Sequence, residues 1–242
     1  MIGNAIAVEK VKNLAKASYR KAAVRKMNPD PKKTRLVDQE NWPRKAQFEL
    51  FRTYERPHFA VTKRMTVHNL LTEQKAAGVS PYRACLFAIG AGLHAVEELR
   101  MRFRGKDVVC HGAIELSMTV PKQDGSFAYG YVPYFTDFLE FDLKSKSLIR
   151  QAAEGEMAPN MGERDDLAYL SCMPWLDYTS INNALPHAND CIPRVSWGKF
   201  VQDSDGIWRM AMTLEVHHAL VDGEHVGAFF EKVQSALDSL SA

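Results

Sequence analysis

The sequence predicts a layered α/β domain, because segments with helical periodicity alternate with antiparallel strand candidates. Residues 80–99 are apolar on most faces, which is typical of a helix buried against a sheet. Residues 195–202 and 207–217 read as a hairpin, and 226–240 as a clear amphipathic helix. The chain of 242 residues, with 46% hydrophobic and 25% charged residues, is long enough and ordinary enough in composition for one substantial core.

Charge and cysteine content exclude several function classes. The formal net charge of +2 argues against nucleic acid as a partner. No apolar run is long enough to cross a bilayer, and residues 1–8 lack the pattern of a secretory signal, so we expect no membrane partner. The four cysteines include no closely spaced pair of the kind that binds zinc or carries out redox chemistry. This spacing favours a reduced, cytoplasmic setting. Counting the four cysteines leaves two disulfides open.

The N-terminal segment differs from the rest of the chain. Residues 4–26 read as a basic helix, which Pro29 and Pro31 should end. We therefore predict a basic helical extension over 1–38 and a main folded domain over 39–242. The extension is interpreted as a surface helix that packs on the domain or on a neighbouring subunit; a targeting peptide or a contact with an anionic membrane is the less favoured alternative.

The remaining elements follow from periodicity and turn signals. Helices are predicted at 45–54, 80–99, 137–154 and 226–240, and strands at 59–67, 100–109, 113–120, 127–133, 195–202 and 207–217. A further strand at 171–181 is expected to be interrupted by Pro174, near an edge or a bulge.

The segment from Val216 to His225 carries the clearest chemical signal. Adjacent histidines at the end of a strand point in opposite directions, so one of His217 and His218 can face a cleft. Histidine titrates near neutrality, which makes His218 a natural proton acceptor. A zinc site shared with His225 ranks lower, because the side chains of the pair diverge. Asp222 is also placed to cap the following helix, a purely structural role.

Four motifs occur in the order found in chloramphenicol acetyltransferases. The segment 217–225 resembles the family's signature of two histidines, three residues, Asp-Gly, an aromatic residue and a further histidine, although Glu224 replaces the aromatic residue. Segments 41–49, 98–102 and 174–180 are similar to its Trp-x-Arg-x-x-x-Phe-Glu, Glu-Phe/Leu-Arg and Pro-Trp-x-x-Phe-x-Ser motifs. The resemblance covers residues 39–240.

The resemblance implies a two-layer α/β sandwich with a large mixed, mainly antiparallel sheet. It also implies transfer of an acetyl group from acetyl-CoA directly to a hydroxyl of a small molecule, with chloramphenicol as a candidate acceptor and no metal. His218 then takes the position of the general base and Ser180 that of the oxyanion donor. Asp222 and Arg44 take the positions of a pair that supports the site.

The resemblance further implies a homotrimer with each active site between two subunits. Substrate-binding positions fall on Phe51, Phe59, Phe127 and Ser196. Phe51 stands where the family commonly has tyrosine, and Pro57 where some members have cysteine. Two alternatives remain: a non-catalytic trimeric protein that binds small molecules on the same scaffold, and an acyltransferase core that serves a lipoyl-type thiol.

Overall fold

A seven-stranded sheet and a smaller three-stranded sheet frame the described part of the chain. The computed structural model describes residues 33–155, 159–160 and 164–240, so the helix predicted at 4–26 lies outside the described residues. The helices are α1 (Lys45–Phe51), α2 (Pro81–Ala95), α3 (Phe138–Glu154) and α4 (Gly223–Asp238), with short helical turns at Leu70–Gln74 and Glu97–Arg100. The strands are β1 (Arg35–Leu36), β2 (His58–Thr66), β3 (Met101–Arg104), β4 (Asp107–Cys110), β5 (Glu115–Pro121), β6 (Phe127–Pro133), β7 (Leu167–Cys172), β8 (Arg194–Trp197), β9 (Val201–Gln202) and β10 (Trp208–His217).

The large sheet has the order β2-β10-β8-β7-β5-β6, and β9 pairs with the start of β10. The β5–β7 and β7–β8 pairs are parallel, whereas the pairs β2–β10, β10–β8, β10–β9 and β5–β6 are antiparallel. The predicted fold class, a layered α/β domain with a mixed, mainly antiparallel sheet, is confirmed. The smaller sheet has the order β1-β4-β3 and includes Arg35 and Leu36, residues that the sequence assigned to the extension.

A layer of helices covers one face of the large sheet. Met210, Met212, Leu214 and Val216 alternate along β10 and are all buried. The Cys85 sulfur of α2 lies 4.0 Å from the sulfur of Met210, which places α2 against this strand. Gly92 lets α2 approach α4 closely, since a Cβ atom there would lie 2.7 Å from Val233. The core therefore lies between β10 and the α2–α4 pair.

Two helix starts carry the signals that the sequence displays. Ser80 caps α2, with its hydroxyl accepting from the backbone N–H of Arg83, and Pro81 occupies the first helical position. Asp137 caps α3 in the same way and accepts from the N–H of Glu140 at 2.8 Å. None of the helices in the described ranges is long and apolar enough to span a lipid bilayer.

The single strand predicted at 100–109 is wrong. The chain instead makes a helical turn through Arg100 and then the β3–β4 hairpin, with Gly105 at φ 63° between the strands. This left-handed conformation suits glycine and reverses the chain within a run that looks continuously extended. The helix predicted at 80–99 correspondingly stops at Ala95, because Val96 adopts an extended backbone.

The interrupted strand predicted at 171–181 is also wrong. The strand is β7, which ends at Cys172, and residues 173–193 form a long loop before β8. Pro174 follows the strand end, where its missing N–H removes no ladder bond. The predicted strand at 195–202 is broken at Gly198, where the Leu176 carbonyl of this loop passes so close that a Cβ atom would lie 2.5 Å from it.

Arg102 is a fully buried cation in β3. Its guanidinium donates to the backbone carbonyls of Asp165, Leu99, Met101 and Leu167 at 2.6–3.1 Å. Burial lowers the pKa of this guanidinium from its ordinary value. Four carbonyl dipoles thus replace the water that the charge loses on folding.

We expect Arg102→Met to lower the free energy of unfolding by about 3 kcal/mol or more, because several buried carbonyls lose their donor at ~1–3 kcal/mol each. Thermal and urea unfolding measure the change. The matched control is Arg104→Met, since Arg104 keeps 46% of its side-chain surface exposed and pairs with Asp165 at the surface. An Arg102 variant no less stable than this control would contradict the structural role.

Candidate active site

His218 follows directly on the last residue of β10, an interior strand of the large sheet. The β2–β10 ladder runs to the pair His217–His58, and the backbone N–H of His218 then donates to the carbonyl of Pro57 at 2.8 Å. The chain leaves the sheet here and enters α4 at Gly223, with Asp222 as the N-cap residue. His218 therefore lies at the junction of a strand and a helix, as the sequence predicts.

Two aromatic rings hold the imidazole of His218. The Phe51 ring, at the end of α1, stacks on it with centroids 3.8 Å apart and an angle of 7° between the planes. The Phe59 ring of β2 lies 4.7 Å away on a tilted plane. The His218 side chain still keeps 34% of its surface exposed. The imidazole is thus restricted in rotation and remains accessible to a ligand.

An ion pair lies directly beneath His218. Arg44 is buried and pairs through Nη1 with Asp222, while its Nη2 donates to the His218 carbonyl at 3.0 Å. Asp222 Oδ1 in turn lies 3.2 Å from Nδ1 of His218, without the geometry of a hydrogen bond. Arg44 and Asp222 are therefore brought together as the resemblance implies, and the carboxylate faces the nitrogen of His218 opposite Nε2.

His217 points the other way and is structural. It is buried, its Nε2 lies 3.0 Å from the carbonyl of Ala188, and its Nδ1 accepts from the N–H of Ala219. Burial, assisted by the neighbouring His58, lowers the pKa of His217 to about 3. This histidine is neutral at ordinary pH and ties the loop at Ala188 to the end of β10.

The third histidine of the motif takes part in the start of α4. Nδ1 of His225 accepts from the backbone N–H of Asp222 at 2.9 Å, and its Nε2 lies 3.5 Å from Glu98. His225, Asp222 and Glu224 lie within metal-binding distance of one another. Asp222 is already paired with Arg44, and Nδ1 of His225 is occupied, so this geometry is explained by helix capping and ion pairing. The expected lack of a metal remains a prediction.

Ser180 lies on the exposed part of the loop at residues 173–193. The loop is anchored on both sides of it. The Tyr178 hydroxyl donates to the carbonyl of Ser196 at 2.8 Å, and Asn183 bonds to Glu215 through its N–H and its side chain. No hydrogen bond or ion pair holds the Ser180 side chain within the described ranges. Its hydroxyl is thus available to a ligand, although the structure shows no contact between Ser180 and His218.

Ser196 and Phe127 do not meet His218 in one chain. Ser196 lies in the middle of β8, is 1% exposed, and its Oγ has no partner in the described part of the chain. Phe127 starts the opposite edge strand, β6, and is 45% exposed. Strands β8, β7 and β5 separate β6 from β10. A pocket that contains both Phe127 and His218 therefore requires a second copy of the chain, and the substrate-binding assignment of Phe127 stays a prediction.

Sequence reasoning missed Glu215 as a site residue. Glu215 lies in β10 on the same face as Thr213, and its alternation with apolar residues reads as a solvent-facing position. The loop at 173–193 covers this face, so Glu215 is 5% exposed. An acidic residue three positions before the candidate base His218, in a mostly apolar strand, was the available signal.

Comparison with known proteins places the chain in a family. The family model for chloramphenicol acetyltransferase matches residues 33–234. A chloramphenicol acetyltransferase of Clostridium perfringens is 29% identical over 84% of this chain and 94% of the relative. Chloramphenicol acetyltransferase 3 of Escherichia coli is 23% identical, covering 84% of this chain and 96% of the relative.

Solved structures agree with the sequence comparison. A chloramphenicol acetyltransferase aligns with a TM-score of 0.79 at 27% identity, covering 85% of this chain and 100% of that one. A probable dihydrolipoamide acetyltransferase of Listeria monocytogenes aligns with a TM-score of 0.62 at 14% identity, covering 81% of this chain and 90% of that one, and shows the fold alone. The family match over most of the length, together with the fold, shows that this chain belongs to the chloramphenicol acetyltransferase family of acyltransferases.

Proposed function

We propose that this protein is an acetyl-CoA-dependent O-acetyltransferase that acts on a small hydroxylated molecule. The observation that carries the proposal is the placement of His218: an accessible imidazole clamped by Phe51 and backed by the Asp222 carboxylate. Chloramphenicol is the first acceptor to test, because the curated relatives named above are chloramphenicol acetyltransferases. A reduced, cytoplasmic setting is proposed with it, supported by the four free thiols.

His218 acts as the general base in this proposal. The Asp222 carboxylate beside Nδ1 favours a proton on that nitrogen and leaves Nε2 with a free lone pair. Nε2 takes the proton of the acceptor hydroxyl while the oxygen attacks the thioester carbonyl of acetyl-CoA. The tetrahedral intermediate then expels the CoA thiolate, which takes the proton back from the imidazolium. The products are the acetyl ester and free CoA thiol.

Ser180 supplies the hydrogen bond to the oxyanion. The hydroxyl is exposed and has no partner within the described ranges, so donating to a ligand disrupts no bond seen there. The anchors at Tyr178 and Asn183 hold the loop in place on both sides of it. A donor positioned before the reaction stabilises developing charge without further rearrangement.

A homotrimer with sites between subunits completes the proposal. Phe127 lies on the edge strand β6, which three strands separate from β10, so Phe127 and His218 share a pocket only if different copies supply them. Phe51 and Phe59 then provide the apolar wall around the imidazole, and Ser196 a buried hydroxyl. An interfacial site makes activity depend on assembly.

We expect His218→Ala to lower kcat/KM for acetylation by about 10²–10⁴-fold, because a general base contributes this much. Release of CoA thiol with a panel of alcohols, including chloramphenicol, measures the rate. His68→Ala is the control, since His68 follows β2 at the far end of the sheet. A His218 variant as active as this control, or a wild-type protein that turns over no alcohol, would refute the proposal.

We expect Ser180→Ala to reduce kcat by about 10²-fold with little change in KM, because the bond to the oxyanion exists only in the transition state. Steady-state kinetics separate the two constants. Thr179→Ala removes a neighbouring exposed side chain of the same loop and should leave both nearly unchanged. If both substitutions lowered kcat equally, Ser180 would support the structure of the loop and would not bind the oxyanion.

We expect Arg44→Met to destabilise the fold by about 3 kcal/mol, because the Asp222 carboxylate loses its cationic partner. This value is at the lower end of the range for breaking a buried ion pair, since Asp222 keeps 28% of its side-chain surface exposed. Acetylation should fall with it. Adding Asp222→Asn removes the stranded charge and should restore part of the melting temperature. Arg64→Met, which removes two partly exposed ion pairs, with Asp177 and Asp203, should cost about 1 kcal/mol. If the losses of stability caused by the Arg44 and Asp222 substitutions simply add in the double variant, the two side chains do not stabilise each other.

A further inference from the structure

A polar cavity of about 390 Å³ lies beside the candidate active site. One wall is the start of β2 and the segment before it, including Glu55, Arg56 and Phe59. The other wall is the loop beyond Ser180, with Asn182 and Asn183, and the strand residue Glu215. Its size suits a small molecule.

Neither His218 nor Ser180 lines the cavity, but a neighbour of each does. Phe59 lines it, and the Phe59 ring is 4.7 Å from the ring of His218. Asn182, which also lines it, follows Ser180 by two positions in the same anchored loop. Glu215 and His218 lie on opposite faces of β10, so in the proposed trimer the base for a molecule bound here comes from a neighbouring subunit, while the Ser180 loop comes from the chain that forms the cavity.

Glu215 presents a carboxylate oxygen to this cavity. Glu215 is 5% exposed, and both bonds from Asn183, at 2.8 and 2.7 Å, end on Oε2. The other carboxylate oxygen, Oε1, has no hydrogen-bond partner within the described ranges. It keeps some accessible surface, unlike the buried polar atoms that lack a partner. Its remaining surface therefore opens on the cavity that Glu215 lines.

The charge of Glu215 also lacks a counter-charge. No ion pair joins it to any residue in the part of the chain that the structure describes. Its register partner on β8, Arg194, is bonded to Asp190 at 2.8 Å instead. Arg56 lines the cavity but is exposed to solvent. A buried carboxylate without a cation is costly unless a partner completes it.

We propose that the acyl acceptor is an amino alcohol, whose protonated amine donates a hydrogen bond to Oε1 of Glu215 while its hydroxyl reaches the His218 imidazole of a neighbouring subunit. The proposal rests on the acetyltransferase function and names its substrate class. Asn183 holds Oε2 and so orients the carboxylate before the ligand arrives. A charge-assisted bond of this kind also explains why a polar cavity adjoins the apolar rings around His218.

The test compares two benzylic alcohols that differ in one group. One carries a dimethylaminomethyl group, which is protonated at neutral pH and cannot itself be acetylated. The other carries the isobutyl group, its neutral carbon counterpart. We expect the wild-type protein to prefer the amine by about tenfold or more in kcat/KM, the usual worth of a bond to a charged group.

Three variants assign the preference to a residue. Glu215→Gln keeps an oxygen for Asn183 but removes the charge, and should bring the ratio of the two acceptors close to one. Asn183→Ala tests the same region while keeping the carboxylate, and should retain a preference for the amine. Glu55→Gln, at an exposed acidic residue of the same cavity, should retain it fully. No preference in the wild type, or one that survives Glu215→Gln, overturns the proposal.

Failure of the two proposals can be told apart. If the neutral alcohol or chloramphenicol is acetylated without any preference for the amine, the acetyltransferase function stands and the amino alcohol is rejected. If no alcohol is acetylated, the function fails. Titration of the protein with the amine, followed by NMR, then tests whether the cavity binds the amine without any reaction. Binding that is about tenfold weaker in Glu215→Gln than in the wild type supports recognition at Glu215, and equal binding rejects it.

Discussion

The ion pair between Arg44 and Asp222 is the constraint on which the arrangement at His218 depends. It joins the start of α1 to the start of α4, and the Arg44 bond to the His218 carbonyl adds the end of β10. Helix α1 then brings Phe51 onto the imidazole. Orientation of the ring thus comes from elements far apart in sequence, which a single buried cation holds together.

Adjacent histidines divide two tasks because a strand alternates its side chains. His217 turns inward, stays neutral through burial, and fixes the backbone between β10 and the loop at Ala188. His218 turns toward α1 and keeps an accessible edge. The same alternation places Glu215 with His217 on the face that the loop at residues 173–193 covers. One strand therefore supports both the base and the wall of the polar cavity.

The sequence predicts well what is local and poorly what depends on packing. Most helices and the end of β10 follow from periodicity and capping residues, and the ordered motifs bring out Arg44, His218 and Asp222. The β3–β4 hairpin is predicted as one strand because the sequence around Gly105 does not reveal the positive φ of this glycine. The distance between Phe127 and His218 within one chain could not be predicted, because strand order is set by the whole sheet. Glu215 is missed because a loop distant in sequence buries it.

The loop at residues 173–193 has a topological consequence. Strands β7 and β8 run parallel, so the chain must cross from one end of the sheet to the other between them. Such crossovers are usually helices, yet here the connection is the irregular segment with Ser180 and the anchors Tyr178 and Asn183. A deletion that leaves enough chain for this crossover still shifts Ser180 relative to its anchors, so shortening the loop affects the candidate oxyanion donor before it affects the strand pair.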